Sequence, residues 1–235
     1  MLLHISKATL FSFIISISNC FHTHLFVLNR IAVHSQILNL THSCHVLHGK
    51  IMKKGMMLLA NNIDRILKSV KTTIGLDSYN SIIAACGVLD FNTPPSKQAE
   101  YISTIIKRVN ETQGEETAKK VMKPCGHQCL SNSVIERAKK LHEKSKDIDD
   151  FLQLLNEQQI GGGQLHTRDE NIIGVYNTCY CDFPMHTKNM SPVYCYCSAG
   201  WFEKLFSSIL GDSVNVNILQ SILDGSDKCI FEISF

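Results

Sequence analysis

The chain reads as an α+β protein: a twisted antiparallel sheet with helices packed on it, preceded by a helical N-terminal region. Three observations predict this. Apolar residues recur at helical spacing from Ile63 to Val109 and again up to Leu155. A triple glycine, Gly161-Gly162-Gly163, ends that regime. Beyond it, short runs alternate apolar and polar residues, down to Cys229, Phe231, Ile233 and Phe235 at the end of the chain.

The helical half can be followed element by element. Ile63, Ile66, Leu67, Val70 and Ile74 form one stripe, which Gly75 stops. Asp77 is placed to cap a second helix holding Ile82, Ile83 and Cys86, with Gly87 at its end. Asn92-Thr-Pro-Pro-Ser is a loop, because paired prolines exclude a helix interior. Ser96 then caps a helix with the stripe Ala99, Ile102, Ile105, Ile106 and Val109. Further on, Ser133-Val-Ile-Glu136 has the form of a capping box. Asp147 caps a helix that buries Ile148, Phe151, Leu152 and Leu155. Such stripes need a partner surface.

In the second half, residues 164–167 and 172–176 flank Arg168-Asp-Glu-Asn as a hairpin. The glycine triplet is read as a hinge; no phosphate-loop lysine follows it. Ser198 is placed to cap a helix over about residues 201–210, with Trp201, Phe202, Leu205, Phe206 and Ile209 inside and Gly211 closing it. Val214, Val216 and Ile218 alternate with Asn215 and Asn217. Asp224-Gly225 then turns the chain, and the run from Cys229 returns as the other arm of a hairpin.

A chain of 235 residues can bury one large core. Its hydrophobic content of 44% and charged content of 19% are those of a globular protein. The net charge of +2 is close to balance and points away from nucleic acid as a partner.

The first fifty residues differ from the rest. They hold no Asp or Glu and carry seven of the eleven histidines. An apolar run behind Lys7 resembles a signal or anchor segment within residues 1–28, yet Ser12, Ser16, Asn19 and His22 make it costly in lipid. The alternative is a true start at Met52, where the composition changes. Residues 1–51 are therefore an atypical extension, 52–112 a helical region and 113–235 a cysteine-rich α+β domain. A cytoplasmic protein is expected, or an exported or anchored one where the extension is real.

Ten cysteines are roughly double what chance supplies, and most stand in close pairs. Cys179 and Cys181 form one Cys-X-Cys unit, Cys195 and Cys197 a second. In extended backbone each pair points to one face, so two paired segments would gather four thiols. Cys125 and Cys129 are four apart and share a helix face, while His127 points away from both. These six cysteines are the candidate metal ligands. Four thiolates suit zinc in a tetrahedral site or an iron–sulfur cluster. His186, in the polar loop that follows Cys181, is a candidate to complete a shell.

Cys125-Gly126-His-Gln-Cys129, Tyr176-Asn-Thr-Cys-Tyr-Cys and Cys195-Tyr-Cys-Ser-Ala-Gly-Trp201 occur in an order that resembles the 4-vinyl-reductase (hydrocarbon-binding) group of small-molecule-binding domains. The ending Val214-Asn-Val-Asn-Ile-Leu-Gln-Ser-Ile-Leu-Asp-Gly-Ser-Asp-Lys-Cys229-Ile-Phe-Glu-Ile is its most specific part, and the resemblance spans residues 114–235. It implies an α+β layer like that of vesicle-tethering subunits, a small apolar ligand and, in some members, cysteine-bound metal. The doubled Cys-X-Cys goes beyond the basic pattern of the group.

Three functions follow as expectations. The first is a metal-containing small-molecule binding or sensor protein with a Cys-thiolate site, with a homodimer as an admissible assembly. The second is a thiol-dependent hydrolase or reductase using one of the same cysteines, which requires a low-pKa thiol and a partner. The third is an exported protein whose cysteines are disulfides.

Overall fold

Residues 62–74 are helical (α1), and Ile63, Ile66 and Val70 on their apolar stripe are buried. The computed structural model describes residues 62–90, 92–211 and 214–235. The expectations for the N-terminal extension, its histidines and a start at Met52 lie outside those residues. Helices α2 (Leu76–Cys86), α3 (Pro95–Gln113), α4 (Glu115–Cys129), α5 (Asn132–His142) and α6 (Ile148–Glu157) follow in order. Strands β1 (Leu165–Arg168) and β2 (Asn171–Tyr176) precede the long helix α7 (Tyr196–Leu210), and β3 (Asn215–Gln220) and β4 (Cys229–Ser234) end the fold. The described residues form one compact unit. Among the described residues no helix is long and apolar enough to cross a membrane.

The α+β class is as expected, and the sheet is antiparallel in the order β1-β2-β4-β3. Tyr176 pairs with Cys229, Gly174 with Phe231 and Ile172 with Ile233, so these residues share the face that meets the helices. The β1–β2 turn is tight. Asp169 and Glu170 both adopt positive φ, 49° and 66°, a backbone that suits the right-handed twist of the strands it joins.

Two apolar cores result. One joins α1, α3 and α4 to Phe183, Met190, Val193, Tyr194 and Cys197. The other packs α5, α6 and α7 on the sheet around Phe151, Phe202, Phe206 and Phe231. Helix α7 contributes to both, through Cys197 to the first and Ala199 to the second.

Several local boundaries differ from the sequence expectation. Helix α2 starts at Leu76, so Asp77 lies in its first turn and Gly75 caps it. Helix α3 starts at Pro95, capped by Pro94 rather than Ser96, since proline fits the first helical position. The Ser133–Glu136 capping box does not form: α5 begins two residues earlier than that motif requires, behind Ser131, and Ser133 bonds the Ser131 hydroxyl at 2.9 Å. Asp147 does cap α6, accepting from the Asp150 nitrogen at 2.9 Å. Helix α7 opens at Tyr196, so Ser198 lies inside it.

Candidate functional site

Helices α4 and α7 cross in near backbone contact, and two glycines make that contact possible. A Cβ on Gly126 would run into the Cys197 carbonyl and stand 2.6 Å from the Trp201 nitrogen. A Cβ on Gly200 would run into the Lys123 carbonyl and stand 2.8 Å from the Lys123 Cα. Lys123 therefore faces Gly200 and Gly126 faces Cys197, which makes the two helices antiparallel. One turn beyond Gly126 lies Cys129, and it arrives beside Cys197. The crossing also holds a polar network around Glu203. Lys123 and His127 both meet the Glu203 carboxylate, the latter at 3.7 Å.

Beside this crossing, at the seam between the two cores, is a cavity of about 400 Å³. Its apolar walls are Ile66, Tyr176, Tyr180, Tyr194 and Trp201. Its polar side is Asn62, Arg65 and Asp182, with Asn62 donating to Asp182 at 3.0 Å. The floor is the glycine turn over Ile160–Gly163, where Gly161 and Gly162 sit at φ of 73° and 86°. Asn156 holds that turn by pairing with both backbone groups of Leu165, at 2.7 and 2.8 Å. Side chains are costly at those φ values, so glycine is needed for the chain to pass so close to Tyr176.

Four thiols line the cavity: Cys125, Cys129, Cys181 and Cys197. They are drawn from both ends of the sequence pattern, and they are not the four expected to converge. Cys179 lies outside the lining but hydrogen-bonds Cys181, and that bond draws the Cys179 thiol down to about 7. Cys195 turns the other way, 3.0 Å from the Ser221 hydroxyl and paired with Cys229. The reason is helical geometry. Pro192–Cys195 is a 3-10 turn that runs straight into α7, so Cys195 and Cys197 stand about 200° apart around a helix axis instead of side by side on a strand. Cys125 and Cys129 do share a face of α4 as expected, although that helix begins at Glu115 and carries Pro124 in its interior. All eight described cysteines are free thiols. Among the described residues no three His, Cys, Asp or Glu side chains are grouped to hold a metal ion.

Cys129 differs from the other three cavity thiols. It is exposed, whereas Cys125, Cys181 and Cys197 are buried or half-buried. The hydrogen bond from the Cys197 thiol pulls Cys129 down to about 6, and the Arg65 guanidinium, donating at 3.3 Å, adds to this against burial and Asp182. The end of α4 opposes a negative charge there, so both partners are needed. Cys197 is pushed well above the ordinary thiol value by that same bond and by burial. Cys125 is held up at about 11 by burial. Burial likewise raises the Tyr194 hydroxyl, which the four cavity thiols surround. A second low thiol, Cys229 at about 6, owes its value to Cys195 and the Ile222 nitrogen and does not line the cavity.

His127 faces Glu203 and His186 is exposed in the turn Pro184–His186, so neither histidine lines the cavity. Arg65, Asn62, Asp182, Gly126 and Gly200 were not singled out from the sequence. The signal for the glycines was there: each stands one helical turn from a cysteine. A protein-family profile described as a family of unknown function (DUF6144) matches residues 57–235, and the chain belongs to that family. No curated protein sequence matches it.

Proposed function

We propose that this protein binds a small, largely apolar molecule in the cavity between its two cores, with Arg65 and its neighbours orienting a polar end and Cys129 facing the ligand as a thiolate. The observation that carries this reading is the cavity itself. It is the size of a small-ligand site, its walls are aromatic, and its charged groups, Arg65 and Asp182, stand together on one side with Asn62, while Gln159 and Ser198 lie elsewhere in the lining; a few placed polar groups are what such sites use for orientation. The resemblance to hydrocarbon-binding domains points the same way. A ligand with a flat apolar body and an anionic end would stack among Tyr176, Tyr194 and Trp201 and meet the guanidinium of Arg65.

Trp201 is the sole tryptophan of the chain, so its emission reports on this wall alone. The test is titration of the full chain with 2-naphthoate and with neutral 2-naphthol, following Trp201 fluorescence. Saturable quenching is expected with both, tighter for the anion. Ser198 lines the lumen from α7, and Ser198→Phe, which fills it, should weaken both by at least about tenfold, the scale of a few lost apolar contacts. Arg65→Gln should weaken the anion alone. Absence of saturable quenching, or equal affinity in the Ser198→Phe protein, would refute the reading.

A further inference from the structure

We propose that Cys129 and Cys197 are a redox-active dithiol that reduces a small-molecule disulfide entering the cavity, Cys129 as nucleophile and Cys197 as resolving thiol. This rests on the cavity being a ligand site and names the substrate class. Three features of geometry single out this pair. Cys129 is the exposed member of the cavity thiols and the one that a cation touches, through Arg65 at 3.3 Å. Cys197 is buried, and its carbonyl lies against Gly126, the residue one helical turn before Cys129, at the crossing that Gly200 also fixes. Both thiols line the lumen, so a substrate sulfur can reach the first while the second waits behind it.

Cys125 shares the lumen and the α4 face with Cys129, but its thiol is turned back onto its own helix, donating to the Val121 carbonyl at 3.4 Å. The remaining pairs lack one or more of these features. Cys195 and Cys229 meet Ser221 away from the cavity, and both are buried. Cys179 and Cys181 share one loop, and Cys181 is turned toward Ser198 at 3.9 Å.

The chemistry balances with the substrate disulfide as the oxidant. The Cys129 thiolate attacks one sulfur of R–S–S–R, forming a Cys129–S–S–R mixed disulfide and expelling RS⁻, which takes up a proton. Cys197 then loses its proton to solvent and attacks the Cys129 sulfur. The Cys129–Cys197 disulfide forms and the second RS⁻ leaves. Two electrons have passed from the two protein thiols to the substrate, which departs as two thiols. The order of events follows from the pairing. While Cys129 is a thiolate, it retains the Cys197 proton through their hydrogen bond. Consuming that thiolate removes the bond, and burial with the neighbouring Cys181 and Cys125 is what still holds the Cys197 proton in place. The groups that face Cys129 are Arg65, Cys197, Cys125 and Asp182; the first two favour its thiolate and the aspartate opposes it.

The experiment uses oxidised glutathione as the probe on the reduced full-length chain, with peptide mass mapping and a count of glutathione released. The wild-type chain is expected to release two glutathiones per disulfide consumed and to yield a Cys129–Cys197 crosslink. Cys197→Ser should stop after one release, with glutathione attached to Cys129. Cys129→Ser should slow release at least tenfold. Trp201 quenching by 2-naphthoate in the wild-type chain separates the two proposals: quenching without exchange leaves the ligand site standing and removes the dithiol. If either serine variant fails to fold, the wild-type crosslink map decides alone. Oxidation mapping to Cys195–Cys229 or Cys179–Cys181 would overturn the assignment. So would stoichiometric zinc in the purified chain that both serine variants lose, because the pair would then be a ligand set.

Discussion

Gly126→Ala is the sharpest test of how the site is built. The new methyl group meets main chain, the Cys197 carbonyl and the Trp201 nitrogen, and neither can rotate away as a side-chain end would. Relieving even the 2.6 Å approach to Trp201 requires α4 and α7 to part by about 1 Å, toward ordinary carbon contact distances. Overpacking of a core typically costs about 1–3 kcal/mol, and a clash with backbone on both sides belongs at the top of that range. For a chain of this size, about 3 kcal/mol corresponds to a fall in Tm of about 6–12 °C. Separation also breaks the hydrogen bond between Cys197 and Cys129. The midpoint of the Cys129 alkylation rate against pH, followed by mass-mapped iodoacetamide labelling, should therefore move from about 6 toward the free-thiol value of about 8.5. The rate at pH 7 is a poorer reporter, since a more basic thiolate is also more nucleophilic. Melting by far-UV circular dichroism gives the first quantity. An alanine variant with wild-type Tm and an unmoved midpoint would refute the close crossing and, with it, the origin of the low Cys129 value.

Arg65→Gln should raise the same midpoint, by less than Gly126→Ala does, because the thiol of Cys197 is the larger influence on Cys129. The sign for stability follows from the depressed value. Between about 6 and 8.5 the unfolded chain binds a proton at Cys129 that the folded chain does not, so stability should fall as pH drops through that window, and Cys129→Ser should flatten the slope of Tm against pH. Asp147→Ala removes the cap on the Asp150 nitrogen and should cost about 1 kcal/mol in urea unfolding with an unchanged m-value. Glu170→Gly relieves a side chain held at φ 66° in the β1–β2 turn and should raise stability by up to about 1 kcal/mol, read as a higher urea midpoint.

How much of this could be read from the sequence depended on whether a feature was local. The stripe of α3 was legible because burial in a helix repeats every three to four residues, and Ala99, Ile102, Ile105, Ile106 and Val109 are all buried. The alternation of β4 was legible for the same reason, with Cys229, Phe231 and Ile233 inward. Asp147 was legible because a cap acts on the next three residues. The cysteines were legible as a cluster but not in their pairing. The Cys-X-Cys argument holds only on extended backbone, and Pro192 with the small residues Ala199 and Gly200 places Cys195 and Cys197 in a continuous helical segment instead. That one change of local structure sends Cys195 to Ser221 and Cys197 to Cys129. Arg65 was not legible at all. It sits on the half-exposed side of α1, 64 residues before Cys129, with nothing in its neighbourhood to mark it. What brings it to the thiol is the docking of α1 on α4, where the buried Ser69 hydroxyl donates to the Val121 carbonyl at 2.6 Å. The chemistry of the site therefore belongs to the packing of three helices. A cysteine count could locate it, but only the glycines at Gly126 and Gly200 account for how near its two central thiols lie.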